Sequence, residues 1–159
     1  LKELESPLEF NISYNYSKDE KTLWIDLDLP EIEDLPNQKA VQMASGNKKI
    51  KLKTKQELNT DYKKYIFGLA VFICSHLFNI SPQIYNIVIS GYTQRRISSG
   101  DIKDEYIYSI VFDRENIKKH NLIDDDSFEI CMKFKNRCNI TSTNMFKVIE
   151  PFEKENSII

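Results

Sequence analysis

The chain has 159 residues, of which 41% are hydrophobic and 29% are charged, a size and composition that fit one compact domain with its own core. The formal net charge of -2 gives no overall attraction to a phosphate backbone or to anionic lipid. A nucleic-acid site would therefore have to be a local patch.

The number of cysteines and the first residue of the chain suggest where in the cell the protein is located and what kind of protein it comes from. Cys74, Cys131 and Cys138 are an odd number without paired short spacing, which argues against a disulfide framework and for a reducing compartment. The chain begins with Leu1 and shows no signal-peptide pattern. With a composition rich in Asn, Ile and Lys, these features lead us to expect a cytoplasmic domain excised from a larger bacterial protein.

The first segment with period-two alternation runs from Phe10 to Leu29 around the turn "SKDEK" and predicts a β-hairpin. Its outward face carries Trp24, Asp26 and Asp28. Asp26 and Asp28 could serve as oxygen ligands for Mg²⁺ or Ca²⁺. A solvated strand face is the favoured alternative, because the exterior of a strand is usually charged.

A second short hairpin is predicted around "SGN", with Val41 and Met43 before it and Ile50 and Leu52 after it. The segment "KKIKLKTK" places Lys49, Lys51 and Lys53 on one face of the second strand. These lysines could contact phosphates. The alternative is that they block edge-to-edge pairing of an outer strand.

Thr54 and Glu57 match the S/T-x-x-E capping box and predict a helix from about residue 55 to residue 79. From Tyr65 to Phe78 this helix is apolar nearly all round, so we expect the sheet or another chain to enclose it. The apolar run is too short for a membrane span.

The segments "YNIVISGY" and "EYIYSIVF" predict a pair of mid-sheet strands, with Tyr106 and Tyr108 on one face of the second strand. Arg95, Arg96 and Tyr92 lie near the tip of this hairpin, where a tyrosine between guanidinium groups could stack on a nucleic-acid base. The tip also carries acidic residues that would repel phosphate. The mixed charge favours a protein partner or an internal salt bridge.

The C-terminal third predicts short helices and an edge strand. Asp113 is expected to cap a short polar helix, residues 123–139 to form a second helix, and "NMFKVIEPF" to form the strand. The predicted fold is α+β: a mostly antiparallel sheet of hairpins packed on one long apolar helix, in a single domain spanning residues 1–152. Residues 153–159 are expected to be a flexible tail.

No reactive constellation stands out from the sequence. The only glycines are Gly46, Gly68, Gly91 and Gly100, so neither a dinucleotide fingerprint nor a P-loop is present. No Ser or Cys has a local context that suggests a base, and the cysteine–histidine spacings of zinc sites are missing. We therefore expect no cofactor, and catalysis is disfavoured.

The chain also shows two resemblances to known groups of proteins. The order helix, hairpin, helix, strand resembles the core of restriction-endonuclease-like nucleases, whose catalytic D/E-x-K motif lies on a central strand. Here the D-x-K matches begin at Asp19, Asp61 and Asp101, in a turn, a helix and a loop, so the resemblance implies a fold without that catalytic centre. The segments "DLDLPEIEDLP", "NISPQIYNIVISGYTQR" and "DEYIYSIVFDRE" resemble a C-terminal module of uncharacterised bacterial proteins. That resemblance implies an intracellular multidomain setting and no functional residues.

The function that these observations favour is association, either with a second copy of the chain as a homodimer or with another protein, and no contact with a membrane. A nucleic-acid-binding module using the lysine strand and the arginine tip is the alternative from a different class. A metal-dependent nuclease with Asp26 and Asp28 as ligands is the third.

Overall fold

The computed structural model describes residues 10–96 and 98–155, with only the backbone described at residue 96. The strands are β1 (Asn11–Ser17), β2 (Thr22–Asp28), β3 (Gln38–Gln42), β4 (Lys48–Leu52), β5 (Asn86–Arg96), β6 (Ile102–Asp113) and β7 (Lys135–Cys138). The helices are α1 (Lys55–Ile80), α2 (Arg114–Ile117) and α3 (Ser127–Met132). This is the α+β fold that the sequence predicts.

The main sheet has five strands in the order β1-β2-β5-β6-β7. The predicted hairpins β1–β2 and β5–β6 are both present, and β5 is the central strand. The two hairpins are joined through a parallel pairing of β2 with β5, which the sequence did not predict. Parallel neighbours need a long crossover, and the connection here carries β3, β4 and α1.

Helix α1 begins as its sequence predicts. The Thr54 hydroxyl accepts from the Glu57 amide at 3.2 Å, and the Glu57 carboxylate accepts from the Thr54 amide at 2.8 Å. One side of α1 is buried against the sheet, where it forms the core with β2, β5 and β6. The predicted enclosure of residues 65–78 is incomplete, because Phe72 on the other side of the helix is 50% exposed.

The prediction of one long second helix over residues 123–139 is wrong. Helix α3 ends at Met132, and residues 135–138 form β7, which pairs antiparallel with β6. The apolar spacing that suggested a helix instead reflects Phe134 packing edge-on against Phe112, with ring centroids 4.8 Å apart. Residues 135–138 form a strand because they pair with the edge of β6, and this tertiary pairing outweighs a weak local preference for helix.

The predicted edge strand over residues 144–152 is also wrong. In this stretch the Ile149 amide donates to the Tyr106 carbonyl at 2.8 Å, which extends the edge of β6 by a single hydrogen bond. The chain then leaves the sheet plane, since the Phe152 amide donates to Ser109 Oγ at 3.0 Å on the sheet face opposite α1.

A β-bulge changes which face the tyrosines of β6 occupy. Gly91 pairs with Tyr108 and Tyr92 pairs with Tyr106, so Ile107 is the extra residue between them. Tyr108 is fully buried under α1, where its ring lies 5.2 Å from that of Phe67. Tyr106 points to the opposite face, so the prediction that Tyr106 and Tyr108 share a face is wrong.

Two further expectations concern the chain ends and membranes. Residues 153–155 are exposed at the end of the described chain, while residues 156–159 of the expected tail and residues 1–9 of the expected domain lie outside the described residues. Within the described part of the chain, no helix combines the length and the apolar character needed to cross a membrane.

Candidate interaction surfaces

The face of the main sheet opposite α1, here called the open face, carries the two predicted metal ligands. Asp26 and Asp28 project from β2 beside Ser90 and Tyr92 of β5, as their alternation predicts. The structure adds Tyr106, whose hydroxyl is hydrogen-bonded to the Asp26 carboxylate, and Asp104, whose charge acts on both aspartates. The sequence reasoning missed Tyr106 here because the bulge that turns it to this face leaves no signal in the alternation.

The part of the open face around Asp26 and Asp28 is acidic. Partial loss of solvent raises the pKa of Asp26 and of Asp28, and the nearby charge of Asp104 raises both further. Partial burial and the Asp26 carboxylate raise the pKa of Tyr106 to about 12. Among the described residues, no group of three or more His, Cys, Asp or Glu side chains is close enough to hold a metal ion. Asp26, Asp28 and Asp104 form, with Tyr92 and Tyr106, an acidic and aromatic patch on this face, whereas the β7 end of the face carries Lys135 and Arg137.

The lysine strand lies on a separate two-stranded sheet, β3–β4. Lys53 turns inward and its Nζ lies 2.8 Å from Asp61 Oδ2 on α1, so its charge is already paired. Lys49 and Lys51 are exposed, with no ion-pair partner among the residues that the structure describes. Two of the three predicted lysines thus remain free to contact a ligand.

The arginine tip does not form one surface with Tyr92. Arg95 lies three residues after Tyr92 on β5, so the two side chains point to opposite faces of the sheet. Arg95 Nε lies 3.1 Å from Glu105 Oε2 on the α1 side, whereas the Tyr92 ring lies 5.5 Å from that of Tyr106 on the open face. The side chain of Arg96 lies outside the described part. Of the predicted set, Lys49, Lys51, Lys53, Arg95 and Tyr92 are therefore spread over different surfaces.

The outer edge of β1 is a surface that the sequence reasoning did not single out. Its residues, "NISYNYS", include no charge and no proline. No strand pairs with this edge within residues 10–96 and 98–155, so alternate N–H and C=O groups of β1 point away from the sheet. Tyr14, at the middle of the strand, is 69% exposed.

An apolar groove runs along this edge on the α1 side. Ile12, Tyr14 and Tyr16 of β1 form one wall, and Leu77 and Ile80 near the end of α1 form the other. The groove has a volume of about 350 Å³ and contains no charged side chain. The Tyr16 hydroxyl donates to the Gln83 carbonyl at 3.2 Å, which fixes one end of the wall.

The opposite edge of the sheet is built differently. Strand β7 has only four residues, two of which are Lys135 and Arg137. Arg137 donates to the carbonyl oxygens of Glu150 and Pro151, and Pro151 lies with Trp24 and Ser90 on the open face. Short length and charge are two of the usual devices that prevent edge pairing. β1 has neither of them, since it has seven uncharged residues.

No protein-family model, curated protein or solved structure matches the chain.

Proposed function

We propose that this chain is a non-catalytic association domain that forms a symmetric dimer by pairing β1 with β1 of a second copy. The observation that carries this proposal is the uncharged edge of β1 with its exposed Tyr14. An exposed strand edge of this kind adds a further strand through main-chain hydrogen bonds.

A second copy fits this edge because the strand is complementary to itself. Antiparallel pairing about a twofold axis at Tyr14 sets Tyr14 opposite its own copy and Ile12 opposite Tyr16. On the other face, Ser13 meets Asn15, and both side chains can donate and accept hydrogen bonds. A closed twofold contact also leaves no β1 edge for further growth.

The setting we propose is the cytoplasm of a bacterium, within a larger protein. Cys74, Cys131 and Cys138 are all free thiols, which supports a reducing compartment.

Light scattering over a range from micromolar to submillimolar protein tests the proposal, with Tyr14→Lys as the disrupting variant. Two lysines would then meet at the twofold axis, and the burial of two tyrosine rings would be lost, at about 1.5 kcal/mol for each ring. The dimer should therefore be on the order of 100-fold weaker.

Ile50→Lys is the matched control. Ile50 is equally exposed at 69%, but it lies on β4 of the separate hairpin, so this variant should dimerise like the parent chain. A parent chain that stays monomeric throughout, or a Tyr14→Lys variant that dimerises normally, contradicts the proposal. Salt-sensitive binding of labelled DNA that Lys49→Ala and Lys51→Ala abolish would instead support the nucleic-acid function.

A further inference from the structure

A second cavity, separate from the β1 groove, lies between the first half of α1, the β5–β6 pair and residues 144–146. It has a volume of about 350 Å³, which is within the usual range for small-molecule sites. Its walls are mainly apolar, and the side chains that form them are Ile32, Leu58, Tyr62, Ile107, Met145 and Phe146.

The wall formed by residues 144–146 is held firmly to α1. Asn144 has a left-handed backbone with φ of 59°, and its side-chain amide donates to Thr60 Oγ1 at 3.2 Å. Lys63 Nζ donates to Asn144 Oδ1 at 3.3 Å, and Asn59 donates to the Thr143 carbonyl at 3.1 Å. Because four polar side chains fix this turn, the cavity is part of the folded structure and not a surface irregularity.

Two polar atoms beside the cavity have no hydrogen-bond partner among the described residues. Thr93, which lines the cavity, is only 4% exposed, and its Oγ1 is buried and unpaired. Glu105 is its cross-strand neighbour on β6, and Glu105 Oε2 is likewise buried without a hydrogen bond. The contact of Arg95 Nε with Glu105 Oε2 at 3.1 Å is an ion pair that lacks hydrogen-bond geometry. Buried polar atoms are nearly always satisfied, so this pair indicates a missing donor.

The charge around the cavity is negative on balance. Among the side chains that line it, Glu31 and Glu33 balance Lys55 and Arg95, and Glu105, the cross-strand neighbour of Thr93, adds a further carboxylate beside the cavity. The pKa of the Tyr62 hydroxyl is raised by burial first and then by the charges of Glu31 and Glu33. A positively charged donor would therefore be favoured here over an anion.

We propose that this cavity binds a small, largely apolar molecule that carries an amino group. The apolar body would occupy the space between Leu58, Ile107 and Phe146. The ammonium group would donate to Thr93 Oγ1 and Glu105 Oε2, two of the three hydrogen bonds that it can make. This site is independent of the proposed dimer contact.

Three probes of similar shape test the proposal by titration under nitrogen-15 NMR: 2-phenylethylamine, 2-phenylethanol and 3-phenylpropanoate. We expect the amine to bind at least about tenfold more tightly than the carboxylate, because the surrounding charge opposes an anion. The alcohol should bind between the two, and the shifted amides should include Thr93 and Ile107.

Thr93→Val keeps the shape of the side chain and removes the hydroxyl, so amine affinity should fall about tenfold. Thr22→Val is the matched control: Thr22 is also buried, but its hydroxyl donates to the Glu20 carbonyl and lies away from this cavity. Thr22→Val should leave amine binding unchanged.

Failure of all three probes to shift the cavity amides at millimolar concentration overturns the proposal. Preference for the carboxylate, or equal amine affinity in Thr93→Val, overturns it as well. The NMR map of the parent chain gives a result even if Thr93→Val does not fold.

Discussion

The C-terminal end of α1 depends on one arginine that lies 34 residues beyond it. Arg114 Nε donates to the Ile84 carbonyl at 2.8 Å and Arg114 Nη1 to the Phe78 carbonyl at 2.8 Å, while Nη2 donates to the Ser81 carbonyl. The guanidinium also lies 5.1 Å from the centre of the Phe78 ring. Helix α1 has no basic residue in its own last turn, so Arg114 supplies the cation that the negative end of the helix favours.

We expect Arg114→Lys to destabilise the protein although the charge is kept. A lysine presents its donors at one point and cannot match three carbonyl groups arranged around a planar fork. A hydrogen bond to a charged group contributes about 1.5–3 kcal/mol, and such terms are not additive. Loss of two of the three bonds should lower the free energy of unfolding by about 2 kcal/mol, and Arg114→Met should lower it by about 3 kcal/mol.

Equilibrium unfolding in urea, followed by circular dichroism, measures both changes. Arg95→Lys is the control, because the Arg95 side chain is 61% exposed and the lysine keeps a positive charge beside Glu105, so stability should change by no more than about 1 kcal/mol. If the free energy of unfolding of Arg114→Lys lay within about 0.5 kcal/mol of the parent value, the hydrogen bonds from the guanidinium to the three carbonyl groups would contribute little to stability, and the reasoning would fail.

Three further predictions concern Gly91 and Asp26 in the sheet and Gly68 in α1. Gly91→Ala should destabilise by about 1–3 kcal/mol in the same urea assay, because the new Cβ would lie 2.6 Å from the buried Tyr108 ring. Gly68→Ala should instead stabilise the protein by about 0.5–1 kcal/mol, because Gly68 lies inside α1 and its new Cβ would lie 3.8 Å from Ser127 Oγ. If Gly91→Ala and Gly68→Ala changed the free energy of unfolding in the same direction, this reasoning would be contradicted. Asp26→Asn should raise stability at neutral pH, because the raised pKa of Asp26 means that folding disfavours its charged form. This gain in stability should disappear as the pH falls below the pKa of Asp26 in the unfolded chain, near 3.8. A gain that stays constant with pH would contradict the direction of the pKa shift.

The correctly predicted elements are those whose signals are local. The alternation around the turn at residues 18–21 predicts the β1–β2 hairpin, because the two strands pair through one short loop. The capping box of Thr54 and Glu57 predicts the start of α1, because both partners lie within one helical turn. The β5–β6 pair is predicted by two apolar runs that flank a Gly-containing loop.

The candidate sites were predicted less well, since they depend on contacts between distant segments. Asp26 and Asp28 lie on a common face as the alternation predicts, but Asp104 and Tyr106 reach that face from another strand. Arg95 is engaged by Glu105, and Lys53 by Asp61, so both basic residues lose the freedom that their exposed sequence context suggested. The β1 edge was not noticed, because a sequence does not say which strand ends a sheet.

The sequence by itself determined the α+β class, two main-sheet hairpins, the β3–β4 hairpin and the long capped helix, because each is specified by residues close together in the chain. Only the tertiary structure decided the parallel pairing of β2 with β5, the bulge at Ile107 and the conversion of residues 135–138 into an edge strand. It also decided that Arg114 would bind the C-terminal end of α1 through the Phe78 and Ser81 carbonyl groups, which lie 36 and 33 residues away in the chain. These features arise from burial and backbone pairing between distant segments, and the free energy of such contacts outweighs local preference.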